Sequence, residues 1–234
     1  MPIRVVAFDG DDTLWHNEGR FTVTQTALRD LIRSHVPEAD VDRHLFEVEM
    51  KNLGLYGYGI KAFTLSMIET AIELTDRRIP AADIEVILGW GKRMLQAPTE
   101  LLDGVHNALL EVSRRYSLLL ITKGDLFDQE SKLARSGLAD LFAGVEILSD
   151  KNVKSYRNLL DRRGIVPEEF VMVGNSLRSD VVPVLELGAT AVHIPYQVTW
   201  SHEHVPEESL PRSGWHRLDS IAGLGGLLES LDPA

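Results

Sequence analysis

Short apolar runs spaced along the chain constrain this sequence most. The runs are Ile3 to Phe8, Leu118 to Ile121, Val145 to Leu148, Phe170 to Val173 and Ala189 to Ile194. They are mostly rich in β-branched or large aliphatic residues, and they are apolar on both faces. This pattern is typical of strands buried inside a parallel sheet, whereas a membrane span needs about 18 consecutive apolar residues.

Helix-period segments separate the later runs. They cover Asp103 to Arg115, Leu126 to Ser136, Asn152 to Arg163 and Ser179 to Leu187. Gly137, Gly164 and Gly188 stand just past three of these segments, where a helix often needs a left-handed residue. From about Leu101 onward the chain therefore alternates helix and strand, which predicts an α/β fold with a doubly wound parallel sheet.

The interval from His16 to about Pro98 breaks this alternation. It shows helix-period stripes, such as that of Thr24, Leu28 and Leu31, and no convincing buried strand. The sequence thus predicts an α/β core from residues 1–15 and 99–234, with a helical subdomain inserted at 16–98.

Charge and composition limit the possible partners. The net charge is −11, so a phosphate backbone or an anionic membrane should repel the chain. The chain has no cysteine, which excludes disulfides, cysteine-ligated zinc and a thiol nucleophile. The N-terminal residues do not resemble a signal peptide, and we expect a soluble, cytoplasmic protein that binds neither nucleic acid nor membrane. The oligomeric state cannot be inferred.

Two carboxylates follow the first predicted strand in the run Phe8-Asp9-Gly10-Asp11. At the carboxyl end of a parallel strand, residues two apart project to the same side, where open α/β sheets bind ligands. One carboxylate could attack a substrate while the other transfers protons. Taken alone, the same residues also fit a solvated acidic turn.

Four segments, in order, resemble the motifs of the haloacid dehalogenase (HAD) superfamily. Asp9-Gly10-Asp11-Asp12-Thr13 resembles motif I, and Thr122 at the end of the second strand resembles motif II. Lys151 falls where motif III has its lysine, although Lys154 is a rival. Gly174-Asn175-Ser176 with the later Asp180 resembles motif IV. The helical insert falls where members with a type-I cap carry that cap.

The resemblance implies a role for each matching residue. Asp9 would be the nucleophile that forms an aspartyl-phosphate, and Asp11 would be the general acid and base. Thr122 would bind a phosphoryl oxygen, and Lys151 would neutralise charge shared by the phosphate and Asp9. Thr122 and Lys151 would therefore also bind substrate.

A Mg²⁺ ion is the cofactor that the resemblance implies. Its ligands would be Asp9, the Asp11 backbone carbonyl and the motif-IV groups Asn175 and Asp180. Asn175 departs from the family pattern, which usually has an aspartate there, so the metal site loses one negative ligand. Lys123 also departs, since asparagine is common at its position, and it could add a phosphate contact. His16 is a further candidate for substrate binding.

These implications predict a Mg²⁺-dependent phosphohydrolase that cleaves a small phosphomonoester. A phosphomutase acting on a sugar phosphate would use the same aspartate pair. A 2-haloacid dehalogenase needs neither Asp11 nor Mg²⁺, and a non-catalytic phosphate-binding module would not need the intact Asp9, Asp11, Thr122 and Lys151. The substrate itself cannot be named from the sequence.

Overall fold

Buried aliphatic residues form a six-stranded parallel sheet in the computed structural model, which describes residues 2–211 and 213–232. The strands are β1 (Val5–Phe8), β2 (Ser117–Lys123), β3 (Gly144–Leu148), β4 (Phe170–Gly174), β5 (Thr190–His193) and β6 (Trp215–Arg217). Each predicted apolar run overlaps one of the first five strands. β6 was not predicted, because Trp-His-Arg contains no apolar run.

The strand order is β3-β2-β1-β4-β5-β6, so the chain winds outward from β1 in both directions. Phe8 at the end of β1 pairs in register with Leu120 of β2 and Val173 of β4. Residues that follow β1, β2 and β4 consequently emerge at the same edge of the sheet, which is the edge where open α/β folds bind ligands.

Helices form most of the remaining chain. They are α1 (Glu18–His35), α2 (Val41–Tyr56), α3 (Ile60–Leu74), α4 (Ala81–Gln96), α5 (Val105–Val112), α6 (Leu126–Ser136), α7 (Val153–Arg163), α8 (Val182–Leu185) and α9 (Leu224–Leu231). Gly137, Gly164 and Gly188 have positive φ angles of 71°, 62° and 83°, as the sequence predicts for residues that end helices.

The two faces of the sheet pack against different helices because neighbouring strand residues point in opposite directions. Val6 and Phe8 pack with residues of α5, α6 and α9. Ala7, between them, packs with residues of α7 and α8. The predicted fold class, a doubly wound α/β sheet with helices on both faces, is confirmed.

The described part of the chain divides into two compact units. The α/β unit comprises Met1–Glu18, Thr99–Lys123 and Gln129–Ala234. The helical unit comprises Gly19–Pro98 and Gly124–Asp128.

The helical unit has its own apolar core. Leu28, Leu45 and Met67 are fully buried in it. Glu49 of this unit is half-buried, and no ion pair is seen for it among the described residues. Burial raises the pKa of its carboxyl to about 7.

Candidate active site

The first candidate residues lie in a tight turn directly after β1. The Asp9 N–H donates to the Val173 carbonyl oxygen at 2.9 Å, which keeps Asp9 in line with β4. A Cβ on Gly10 would lie 2.7 Å from the Trp15 ring, so a side chain at this position would have to displace the tryptophan. Glycine at position 10 therefore allows Trp15 to pack beneath the turn.

Asp12, the third aspartate of this turn, has its own backbone partners. Its side chain accepts hydrogen bonds from the backbone N–H groups of Asn17 and Glu18, at 2.8 to 3.1 Å, where α1 begins. Asp12 thus satisfies free N–H groups at the start of a helix.

Lys151 joins Asp9 to a second carboxylate. Its Nζ lies 2.5 Å from Asp9 Oδ1 and 2.7 Å from Asp180 Oδ1, while the rival Lys154 is exposed. The side chains of Lys151, Asp9 and Asp180 are only 1%, 11% and 0% exposed. One ammonium between two buried carboxylates leaves this cluster with excess negative charge.

Burial and the neighbouring charges act against each other in this cluster. Burial raises the pKa of Asp9 to about 7, Lys151 opposes that rise, and the Asp180 charge adds to it. Burial alone would lower the pKa of Lys151, but the carboxylates of Asp180 and Asp9 raise it overall. Lys151 therefore stays charged, whereas Asp9 needs further positive charge to stay ionised below neutral pH.

The position of Asp180 depends on the backbone after β4. Its Oδ2 accepts the Ser176 N–H at 3.0 Å. A Cβ on Gly174 would lie 2.2 Å from the same oxygen, so Asp180 can approach only a glycine. Asp180 lies in a π-helical turn, Leu177–Val181, and both of its carboxylate oxygens have partners within the protein.

Asp11 is held by a separate set of donors. Lys132 Nζ lies 2.9 and 3.1 Å from its two oxygens, the Trp15 indole N–H donates to Oδ1 at 2.7 Å, and the Gln129 amide donates to Oδ2 at 2.9 Å. Burial would raise the pKa of Asp11, but the charge and hydrogen bonds of Lys132, with those of Gln129 and Trp15, lower it overall. Asp11 is therefore ionised at neutral pH.

Lys132 and Gln129 were not predicted as site residues from the sequence. Both are on α6, three residues apart, and only 4% and 3% exposed. They share a helix face with Leu133, which packs into the core of the sheet. A charged residue on a core-facing stripe was the available signal.

Gln129 also contacts the motif-II residue. The Thr122 hydroxyl donates to Gln129 Oε1 at 3.3 Å and is buried. Gln129 thus lies between Thr122 and Asp11, and the residues that follow β1 and β2 are connected by direct contacts.

The side chain of Asn175 lies close to oxygen atoms of Thr13, Asp9 and Asp11. When its Oδ1 faces inward, it accepts from the Thr13 hydroxyl at 3.2 Å and lies 3.2 Å from Asp9 Oδ2 and 3.3 Å from the Asp11 carbonyl oxygen. Turned over, the amide nitrogen would instead donate to these acceptors. In the first orientation the oxygens of Asn175, Asp9 and Asp11 are acceptors with no hydrogen atom between them, and such a group of oxygens suits a cation. Adjacent oxygen ligands on an octahedral Mg²⁺, with bonds of about 2.1 Å, lie about 3.0 Å apart.

These oxygens fit a hard cation, although they do not form an acidic cluster. Among residues 2–211 and 213–232, no group of three or more His, Asp or Glu side chains is arranged to hold a metal. The Asn175 site instead combines one carboxylate, one backbone carbonyl and one amide.

Lys123 lies at the end of β2 and is held by Glu203, in the segment that follows β5. The alternating pattern of His202-Glu203-His204 is typical of an exposed extended segment, but Glu203 is buried in a 3₁₀ turn, Ser201–Glu203. Its carboxylate accepts hydrogen bonds from Lys123 Nζ and the Ser176 hydroxyl, and from the Ser179 hydroxyl at 2.5 Å.

His16 lies at the end of the turn after β1. Its Nδ1 is 2.7 Å from the Tyr196 hydroxyl, in the segment that follows β5. His16 therefore has a polar partner within the α/β unit.

A cavity of about 390 Å³ lies beside Asn175. Its lining includes His193, Glu203 and His204. His193 Nε2 lies 3.0 Å from the Asn175 carbonyl oxygen, which helps to fix the backbone of Asn175. Cavities of several hundred Å³ are large enough for a small organic molecule.

Comparison with known proteins gives a consistent set of relatives. The family profile described as haloacid dehalogenase-like hydrolase matches residues 3–183. A haloacid dehalogenase-like family hydrolase from Xanthomonas campestris has a solved structure that is 40% identical, with a TM-score of 0.88, covering 99% of this chain and 92% of that one.

Two curated relatives are phosphatases by name. The N-acylneuraminate-9-phosphatase of Mus musculus is 26% identical and aligns with 98% of this chain and 95% of its own length. The glyceraldehyde 3-phosphate phosphatase of Pyrococcus furiosus is 26% identical, over 83% of this chain and 81% of its own. In the described residues, no helix has the length and apolarity that a membrane crossing requires.

Proposed function

Because this chain belongs to the haloacid dehalogenase-like hydrolase family and is a phosphatase of that family, we propose that it hydrolyses a small phosphomonoester with the help of Mg²⁺. The observation that carries this proposal is the position of Lys151. Lys151 places a positive charge next to the Asp9 carboxylate. The side-chain oxygen of Asn175 and the backbone carbonyl oxygen of Asp11 lie close to the same carboxylate.

In the proposed reaction, the Asp9 carboxylate attacks the phosphorus atom and the bond to the leaving alcohol oxygen breaks. A proton carried by Asp11 goes to that oxygen. A water molecule then gives a proton to Asp11 and attacks the aspartyl-phosphate, which releases inorganic phosphate and restores Asp9. Lys151 stabilises the anions that meet at Asp9, and Thr122 donates a hydrogen bond to a phosphoryl oxygen.

The first step needs a protonated Asp11, which its surroundings disfavour. Lys132 and two further donors favour the ionised carboxylate, which suits the second step, in which Asp11 accepts a proton. Donation in the first step requires Asp11 to take up a proton first. Lys132 therefore sets how readily Asp11 can act as an acid.

Mg²⁺ would be held by Asp9 Oδ2, the Asp11 carbonyl oxygen and the Asn175 amide oxygen. When bound, it would neutralise negative charge on the phosphoryl group. Asp180 would contribute its negative charge through Lys151, because its two oxygens already have partners.

The helical unit would act as a cap, in keeping with the assignment of residues 16–98. Its chain leaves the α/β unit directly after the turn that carries Asp9 and Asp11. Such a cap would exclude bulk water and favour small substrates. Lys123 and His16 would contribute to substrate binding, and the cytoplasmic location stays a prediction.

A screen of phosphorylated metabolites, with and without Mg²⁺, tests the proposal. The two named relatives suggest sugar-acid and triose phosphates as the first compounds. We expect release of inorganic phosphate that requires Mg²⁺ and that the Asp9→Asn variant loses by several orders of magnitude, because an amide cannot form the acyl-phosphate. Phosphate release that survives in Asp9→Asn would contradict the mechanism.

A further inference from the structure

Glu203 is a buried carboxylate with three polar partners, although it lies in a loop. Its carboxylate accepts from one ammonium and two hydroxyl groups, on Lys123, Ser176 and Ser179. Burial would raise its pKa, but the Lys123 charge and these hydrogen bonds lower it to about 2. The group is therefore a permanent, buried negative charge.

The partners of Glu203 lie on both sides of β1. Lys123 ends β2, and Ser179 follows β4, while β1 lies between these two strands in the sheet. Lys123 Nζ also donates to the Ser179 hydroxyl at 2.9 Å. The Lys123 side chain consequently crosses the end of β1, where Asp9 begins the turn.

Direct contacts connect Glu203 to the nucleophile cluster. The Ser176 hydroxyl bonds to Glu203, and the Ser176 N–H donates to Asp180 Oδ2. Asp180 in turn shares Lys151 with Asp9. Displacing the Glu203 carboxylate would remove one acceptor from Lys123 and one from the Ser176 hydroxyl, in the turn that positions Asp180.

We propose that Glu203 is a positioning residue for the phosphatase reaction: its carboxylate fixes the Lys123 ammonium across the end of β1 and neutralises it. This inference rests on the proposed function. It assigns a role to a loop that follows β5 and lies outside the four motif segments.

Two effects follow from removing the charge of Glu203. Lys123 loses its fixed position beside the reacting groups, so turnover should slow. The same change removes the buried carboxylate that offsets the Lys123 charge near an anion site, so inorganic phosphate should bind more tightly. A purely structural role would instead weaken turnover and phosphate binding together.

Glu203→Gln is the test variant because glutamine keeps the size and one acceptor oxygen. With the substrate identified by the screen, or with p-nitrophenyl phosphate, we expect kcat to fall at least tenfold. The inhibition constant of inorganic phosphate should fall at least threefold. Glu168→Gln is the matched control, since it removes one negative charge from an exposed position just before β4, at the opposite edge of the sheet, and should change neither value.

The double variant Glu203→Gln/Lys123→Met separates a loss of stability from a loss of catalysis. Removing both members of a buried ion pair usually costs less stability than removing one. We expect the double variant to regain most of the melting temperature that Glu203→Gln loses, while its kcat stays low and its tightened phosphate binding disappears.

Three results would overturn the inference: an unchanged kcat in Glu203→Gln, weaker phosphate inhibition in that variant, or recovery of kcat together with stability in the double variant. Should wild-type protein lack phosphatase activity altogether, the proposed function fails by itself. Glu203 is then judged by calorimetric titration with inorganic phosphate and Mg²⁺, where equal affinity of wild type and Glu203→Gln would refute its role.

Discussion

Replacing Lys132 by methionine should destabilise the fold and change the protonation of Asp11. At the 2.9 Å separation of Lys132 Nζ and Asp11 Oδ1, Coulomb attraction with an effective dielectric of about 20 amounts to roughly 6 kcal/mol. Methionine fills a similar volume without charge. The variant therefore isolates the loss of the ammonium from the loss of packing.

The net loss is smaller than this attraction because burying the ammonium costs solvation energy. Breaking one member of a buried ion pair typically costs about 3–5 kcal/mol. The Asp11 side chain is 23% exposed and would keep its Trp15 and Gln129 donors. We accordingly expect the free energy of unfolding to fall by about 2–3 kcal/mol at pH 7, measured by urea unfolding.

The same variant should shift the pH dependence of catalysis. Lys132 favours the ionised form of Asp11, so its removal should raise the pKa of that carboxyl. The limb of the kcat/KM profile that reports Asp11 should move to higher pH.

An exposed lysine and a double variant supply the controls. Lys154→Met should leave both the free energy of unfolding and the pH profile nearly unchanged. Adding Asp11→Asn to Lys132→Met should restore part of the lost stability, because no uncompensated carboxylate remains. Stability within 0.5 kcal/mol of wild type (about the scatter of surface substitutions) and an unmoved pH limb in Lys132→Met would refute the assigned pairing.

Four further changes probe other sites. Asn175→Asp should tighten Mg²⁺ binding, because it restores a negative ligand. Asp180→Ala should nearly eliminate Mg²⁺-dependent activity, because Lys151 would lose one of its two carboxylate partners. Both are read by titrating activity against Mg²⁺, and an unchanged titration in Asp180→Ala would show that Asp180 has no influence on the site through Lys151. Gly174→Ala should lower both activity and melting temperature, because its Cβ would collide with Asp180; wild-type kinetics would show that the turn can relax. Glu49→Gln should stabilise the protein by about 1–3 kcal/mol at pH 8 and by little at pH 4.5: the folded pKa of about 7 exceeds the unfolded value near 4.5, so the wild type loses stability as pH rises between them, and equal gains in urea at both pH values would contradict this.

Local patterns were enough to predict the sheet and much of the helical structure. The runs that overlap β1, β2, β4 and β5 are apolar on both faces because helices cover both sides of the sheet, and this burial is visible in each run by itself. The glycines at 137, 164 and 188 likewise reflect a purely local need for positive φ. β6 escaped prediction because a short edge strand carries no such pattern.

The candidate site was predictable only where its residues belong to ordered motifs. Asp9, Asp11, Thr122 and Lys151 were found through their order along the chain and their positions at strand ends. Their catalytic roles remain predictions. Nothing local indicated that Gly124–Asp128, which follows β2, packs with the helical unit.

The sequence by itself determined which segments are buried and which carboxylates stand at the ends of strands, since periodicity and strand-end position are properties of neighbouring residues. Tertiary structure alone decided which charges meet. Lys132 reaches Asp11 across 121 positions, and Lys123 reaches Glu203 across 80. A buried charge requires a partner, but its own segment does not specify the partner, because that choice depends on how the strands are ordered in the sheet.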